Sequence, residues 1–441
     1  MKINHLPLFF LLLCLVGLHA KAQKLRASEI KTMLDTSSVL ENSFTGFVLY
    51  DPKKEQVIYE QYPHKYFTPA SNTKLYTYFA ASRVLGEEVP ALGYTLKNDS
   101  LIFWGTGYPL LLHPEFNDST VLNFLLERPE KLFYYSRTTT DKRLGPGWSW
   151  GDYAWYYSTE KSKFPIYGNH VNIRLKGNFD SLLVHPPSFK ENIKIMDGAP
   201  PEDDWPIYRA ETSNDFYYYP AADTFLTGYD TKIPFTYSDE LFVDLLEDAL
   251  HKKIKMHKSD SILSGEILRL GSTDTLYRKM LQESDNFLAE QIIMMTASEL
   301  NDTLGINLGI KWVKDSLMQD FPDEPIWVDG SGLSRYNMFT PSTTVKLLTE
   351  LMEKPSTEKL FKLLPSGGES GTIKRWYAGE DKPYIFAKTG TLSNNHCLSG
   401  YLVTKKKKTL IFSFMLNHYT VYTSQTKKVM QRVLEYVRDH Y

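Results

Sequence analysis

Two periodicities alternate along this chain, and the places where one gives way to the other divide it into parts. Residues 27–34 carry the spacing of a short helix. Residues 45–50 and 56–60 then alternate as a hairpin, with Asp51-Pro52-Lys53-Lys54 as its turn. Pro69, ahead of the apolar residues Leu75 to Ala81, reads as a helix start, so Ser71 and Lys74 fall three apart on one face. From about residue 87 to 261 the texture changes to short β-like runs broken by Gly and Pro. These include 101–105, 170–175 and a weaker aromatic run at 216–219; a helix at 239–250 closes the region, with a strand near 264–270 just beyond. Helical spacing returns between 275 and 300, with Leu276, Met280, Leu281, Leu288, Ile292 and Ile293 as core candidates, and again over 341–352. The last hundred residues predict strands at 384–388, 397–403 and 410–416, and a terminal helix striped by Met430, Val433, Leu434 and Val437.

The pattern predicts an α/β (α+β) fold: helices around an antiparallel sheet, interrupted by a large, mostly β insert. The expected parts are a leader (1–22), a first catalytic segment (23–86), the insert (87–261) and a second catalytic segment (262–441). With 441 residues and 42% apolar content the chain can bury a large core in more than one domain. Its net charge of -2 offers no field for nucleic acid. Lys405 to Lys408, which imitate a basic motif, are more simply a solvated turn. Tyr217, Tyr218 and Tyr219 suit either stacking on sugars or packing between domains, with packing the preferred reading.

The start of the chain has the form of a signal peptide: Lys2, an apolar run over 6–18, and Ala20-Lys21-Ala22 as the cleavage site. An exported protein of the periplasm or cell envelope is expected, soluble after cleavage and without a transmembrane anchor. Only Cys397 then remains, so no intrachain disulfide can form; a buried structural thiol is the expected role.

Three short motifs occur in order: Ser71-Asn72-Thr73-Lys74, Ser284-Asp285-Asn286 and Lys388-Thr389-Gly390-Thr391. They match the serine, SDN and KTG elements of penicillin-binding proteins and class A β-lactamases. Each alone is common; the ordered triple is specific. A serine hydroxyl needs a base, and Lys74 can be that base only if desolvation or a neighbouring positive charge lowers its pKa. Lys388 is expected to supply that charge and to attract a substrate carboxylate. Ser284 would relay a proton between Lys74 and the leaving nitrogen, while Asn286 would bond Lys74 and the substrate amide. Thr389 would grip the carboxylate, Gly390 would keep the strand edge open, and the backbone N–H groups of Ser71 and Thr391 would form the oxyanion hole. No metal or other cofactor is expected, since no motif such as H-E-x-x-H occurs.

Beyond the triple, the sequence resembles the peptidase S13 group, the low-molecular-mass class C penicillin-binding proteins. The likeness rests on Phe67-Thr68-Pro69-Ala70, Ala289-Glu290, the run Asp329 to Arg335, and Gly145-Pro146-Gly147-Trp148-Ser149-Trp150 with Gly151-Asp152. Ser71 and Ser284 lie 213 positions apart, room for the group's large insert. The chain departs at Gly105-Thr106-Gly107-Tyr108-Pro109, where the group often has an acidic residue at the position of Tyr108; that bears on insert packing or substrate contact. The resemblance implies a penicillin-binding protein and serine β-lactamase-like fold. It also implies a serine-type D-alanyl-D-alanine carboxypeptidase or endopeptidase, whose partners are peptidoglycan stem peptides and cross-links, with β-lactam antibiotics as covalent inhibitors. Two other readings stand beside it: a β-lactamase or small-ester hydrolase using the same serine, and a non-catalytic wall-binding protein. The oligomeric state is left open.

Overall fold

A computed structural model describes residues 25–176, 178–200, 206–220, 230–258, 264–301, 303–353 and 356–441. The expected leader lies outside them. Residues from both halves of the chain build one five-stranded antiparallel sheet, in the order Ile385–Leu392, Asn395–Val403, Thr409–Asn417, Phe44–Asp51, Gln56–Gln61. Alternate residues divide between its two faces, as a period of two requires. Phe47, Leu49, Leu398, Leu402, Phe412 and Phe414 pack under the helices Ala27–Asp35 and Thr423–His440, around Ile30, Leu34, Val433 and Leu434. Val48, Cys397, Tyr401, Ile411 and Met415 face the opposite way, into a larger core built with Leu75, Tyr76, Ile292, Ile293 and Leu348.

The helix Thr73–Val84 runs through that larger core, and its first nine residues are all buried. Beside it pack the helices Asn286–Leu300 and Pro341–Glu353. The helical run expected over 275–300 is two helices, Thr273–Glu283 and Asn286–Leu300. Ser284 breaks it by turning left-handed (φ 64°), and the Asp285 side chain caps the second helix by accepting from Leu288 N at 2.8 Å. A helix at Ile306–Leu317 went unpredicted.

Between the two catalytic segments the chain builds further sheets. The largest has five strands, in the order Ile254–His257, Lys131–Tyr135, Ser100–Gly105, Val89–Lys97, Glu266–Leu270. The strand foreseen just beyond the insert thus pairs with the insert's own first strand. Tyr218, at the end of the strand Phe216–Tyr218 in a small three-stranded sheet, and Tyr219 just after it are both buried. Tyr108 is buried too; its hydroxyl donates to Asp118 at 2.7 Å, so this departure serves packing within the insert. Leu101, Phe103, Tyr134 and Phe164 belong to the same core as Tyr76 and Ile292, which makes the insert continuous with the catalytic part.

Candidate active site

The three motifs, distant in sequence, meet where the helix Thr73–Val84 begins. Ser71 sits half-buried in a short 3-10 turn, Ala70–Asn72, entered through a left-handed Ala70 (φ 48°). Two glycines admit this turn. Gly332 is itself left-handed (φ +81°), and a Cβ there would lie 1.9 Å from the Ala70 carbonyl oxygen. On the other flank a Cβ on Gly390 would lie 2.2 Å from the Pro69 oxygen and 2.9 Å from Ser71 N. The missing side chain of Gly390 lets the strand Ile385–Leu392 press against the serine turn. The Asn72 side chain fastens the same junction, donating to the Lys388 carbonyl at 3.2 Å.

Lys74 is fully buried, and its Nζ has three acceptors: Ser71 Oγ at 2.9 Å, Asn286 Oδ1 at 2.6 Å and the Ser331 carbonyl at 2.7 Å. An ammonium group has three protons and satisfies all three. A neutral amine has two, so Asn286 and Ser331 would keep them while its lone pair turns to the Ser71 hydroxyl. Burial pushes the Lys74 amine down to about 8, against the opposing pull of Asp329, Asp285 and Glu290. Lys388 is itself fully buried and is held well below the usual lysine range, by burial first and the charge of Lys74 second. Desolvation, one of the two routes expected, is the largest cause lowering Lys74.

Lys388 donates to Ser284 Oγ at 2.8 Å and to the Thr389 carbonyl at 2.9 Å. Ser284 is therefore joined to Lys388. Asn286 does reach Lys74, and its Nδ2 donates to the Tyr157 carbonyl of the insert at 2.9 Å. Thr389 Oγ1 pairs with Thr372 Oγ1 at 2.7 Å. The exposed Thr391 pairs through Oγ1 with Nδ1 of the buried His396 at 2.8 Å. Cys397 lies opposite Gly390 in the sheet register, and burial pushes its thiol up to about 12, leaving it unreactive.

Several groups here were not assigned roles from sequence. The Ser331 and Tyr157 carbonyls are backbone atoms, which carry no residue signal. Asp329 accepts from Gly332 N, Ser334 N, Asn337 Nδ2 and, from the insert, Trp148 Nε1, at 2.7 to 2.9 Å. Ser334 Oγ adds a bond to the Pro146 carbonyl at 2.7 Å. These bonds tie the tryptophan-rich loop of the insert to the catalytic part. Arg335 is exposed.

A serine and a lysine at the start of a helix, facing a second lysine on a helix-flanked antiparallel sheet, with a β-rich insert, define a penicillin-binding protein and β-lactamase-like fold. The chain belongs to the D-Ala-D-Ala carboxypeptidase 3 (S13) family, whose profile matches residues 26–97 and 136–437. It is 27% identical over 173 residues to the D-alanyl-D-alanine carboxypeptidase DacB of Haemophilus influenzae, a stretch covering 38% of this chain and 36% of that protein. The D-alanyl-D-alanine carboxypeptidase of Actinomadura sp. strain R39 is 25% identical across 90% of this chain and 82% of its own length. Among solved structures, penicillin binding protein 4 from H. influenzae superposes with a TM-score of 0.72 at 19% identity, covering 94% of this chain and 98% of that one.

Proposed function

We propose that this protein hydrolyses D-alanyl bonds of peptidoglycan peptides through an acyl-enzyme on Ser71, and that penicillin acylates the same atom. The observation that carries this reading is the buried Lys74 amine, 2.9 Å from Ser71 Oγ, with the second lysine, Lys388, bonded to Ser284. Ser71 Oγ attacks the carbonyl of the penultimate D-alanine and its proton passes to Lys74. The N–H groups of Ser71 and Thr391 receive the developing oxyanion. Lys388, Thr389 and Ser284 meet the terminal carboxylate, which takes the place of the Lys388–Ser284 contact. Lys74 returns its proton to the leaving nitrogen as the tetrahedral intermediate collapses, expelling D-alanine or the amine of a cross-linked stem; water then adds to the acyl group, and one of its protons goes back to Ser71 Oγ as the acid is released. The expected leader would place this activity in the periplasm or cell envelope.

Mass spectrometry after exposure to penicillin tests the nucleophile. The wild type should gain one drug mass on the Ser71 peptide, and Ser71→Ala should gain none; an adduct of equal yield on the variant would overturn the assignment. Products from purified peptidoglycan fragments then test the substrate, with release of D-alanine or of split cross-links expected. Rapid turnover of penicillin without fragment cleavage would instead identify a β-lactamase, and peptide binding without acylation a wall-binding protein.

A further inference from the structure

The loop that presents the Ser331 carbonyl to Lys74 is folded around a carboxylate that the mechanism above does not use. Glu290, in the helix Asn286–Leu300, is completely buried one turn beyond Asn286. Its Oε1 accepts from Ser331 N at 2.8 Å and its Oε2 from Gly330 N at 3.2 Å. Ser331 thus has its amide on Glu290 and its carbonyl on Lys74. Resting on the acyl-enzyme reading, we propose that Glu290 is a positioning residue for the base, holding the Ser331 carbonyl against Lys74 and placing negative charge beside that amine.

The charged groups around this pair come from four directions. Asp329 belongs to the same loop, Lys161 to the insert, Asp285 to the turn before the helix and Lys388 to the sheet. Asp329 has four hydrogen-bond donors of its own. Glu290 has two. Burial and the charge of Asp329 raise Glu290 to about 7, and Lys161 opposes the rise. Glu290 therefore gains its charge as the pH passes neutrality, just below the range where Lys74 gives up its proton. That charge favours the ammonium form of Lys74, so its removal should move the loss of the Lys74 proton to lower pH.

A second contact separates charge from shape. Thr77, on the Lys74 helix, donates to the Gly330 carbonyl at 2.6 Å, so Thr77→Val loosens the same loop without changing any charge. The test is the rate of Ser71 acylation by a chromogenic β-lactam between pH 5.5 and 10, for wild type, Glu290→Gln, Glu290→Asp and Thr77→Val. Glu290→Gln should shift the acid limb downward by about 0.5 to 1 pH unit and lower the plateau roughly tenfold. Glu290→Asp, which keeps the charge and misplaces it, should lower the plateau with the limb held within ~0.3 unit of wild type. Thr77→Val should lower the plateau with the limb unmoved. An unshifted limb in Glu290→Gln, or an unchanged plateau, would overturn the proposal. If Glu290→Gln does not fold, a limb in Glu290→Asp displaced as far as one pH unit would overturn it instead. Failure of the wild type to acylate at all would count against the acyl-enzyme reading and not against this one.

Discussion

At Lys74 Nζ the chemistry turns on a count of protons. Three acceptors surround it, and a base must leave one of them unserved. With the amine at about 8, acylation should fall about tenfold per pH unit on the acid side of that value and level off above it, which stopped-flow measurement with a reporter β-lactam would reveal. A rate flat from pH 6 to 9 would exclude Lys74 as the base. Lys388 stands in a different position. It is buried, and burial with the charge of Lys74 holds its pKa well below the usual lysine range, so an entering carboxylate is a partner that favours its ammonium form. Lys388→Ala should therefore raise KM for a D-alanyl-D-alanine peptide by tenfold or more while scarcely affecting the C-terminal amide, and equal losses on both substrates would refute the carboxylate role. Sequence made these side chains legible because their types and spacing are chemical. It left open whether desolvation or a neighbouring charge tunes Lys74 and which side chain Ser284 meets at rest, because both depend on burial and on which wall of the cleft a side chain faces.

At the scale of elements, the serine turn is set between a loop and a strand that supply only hydrogen atoms at the points of contact. Gly332→Ala would place a methyl 1.9 Å from the Ala70 oxygen in a backbone region that alanine resists. The expected cost is about 3 kcal/mol or more, read as a lower midpoint of chemical denaturation. Gly390→Ala would press on Pro69 and Ser71 N, and should abolish penicillin labelling even in the fraction that remains folded. A variant labelled at the wild-type rate would show that the turn tolerates the intrusion. The helices and sheet strands around this turn were largely readable, since apolar spacing reports a buried face directly. The break at Ser284 was not, because a left-handed residue between two good helical segments leaves the periodicity almost intact. The helix Ile306–Leu317 was missed as well, its buried positions reduced to Ile306, Gly309, Ile310 and Val313.

Across the whole molecule, buried histidines set an acid limit. His113 in the insert and His396 in the catalytic sheet are pushed down to about 3, both chiefly by burial, and His170 is lowered for the same reason. His113 and His396 are neutral when folded and protonate in the unfolded chain near pH 6.5, so their contribution to stability is complete above that pH and declines as pH falls toward 3. The slope is up to ~1.4 kcal/mol per pH unit for each group. Urea titrations at pH 7.5, 5.5 and 4.5 should show this decline. A stability independent of pH over that range would contradict it. That both chain segments share one sheet could not be read from local pattern; the motifs alone required them to meet. The sheet order has a further consequence for how the protein comes into being. Phe44–Asp51 needs Thr409–Asn417 as its neighbour, and the ribosome makes the second long after the first, on the order of half a minute at ordinary elongation rates. Throughout that interval the early hairpin has an open edge, and the serine turn lacks the strand that presses it into shape. The enzyme is therefore born inert, and becomes a catalyst only when the strands Ile385–Leu392 and Thr409–Asn417 arrive.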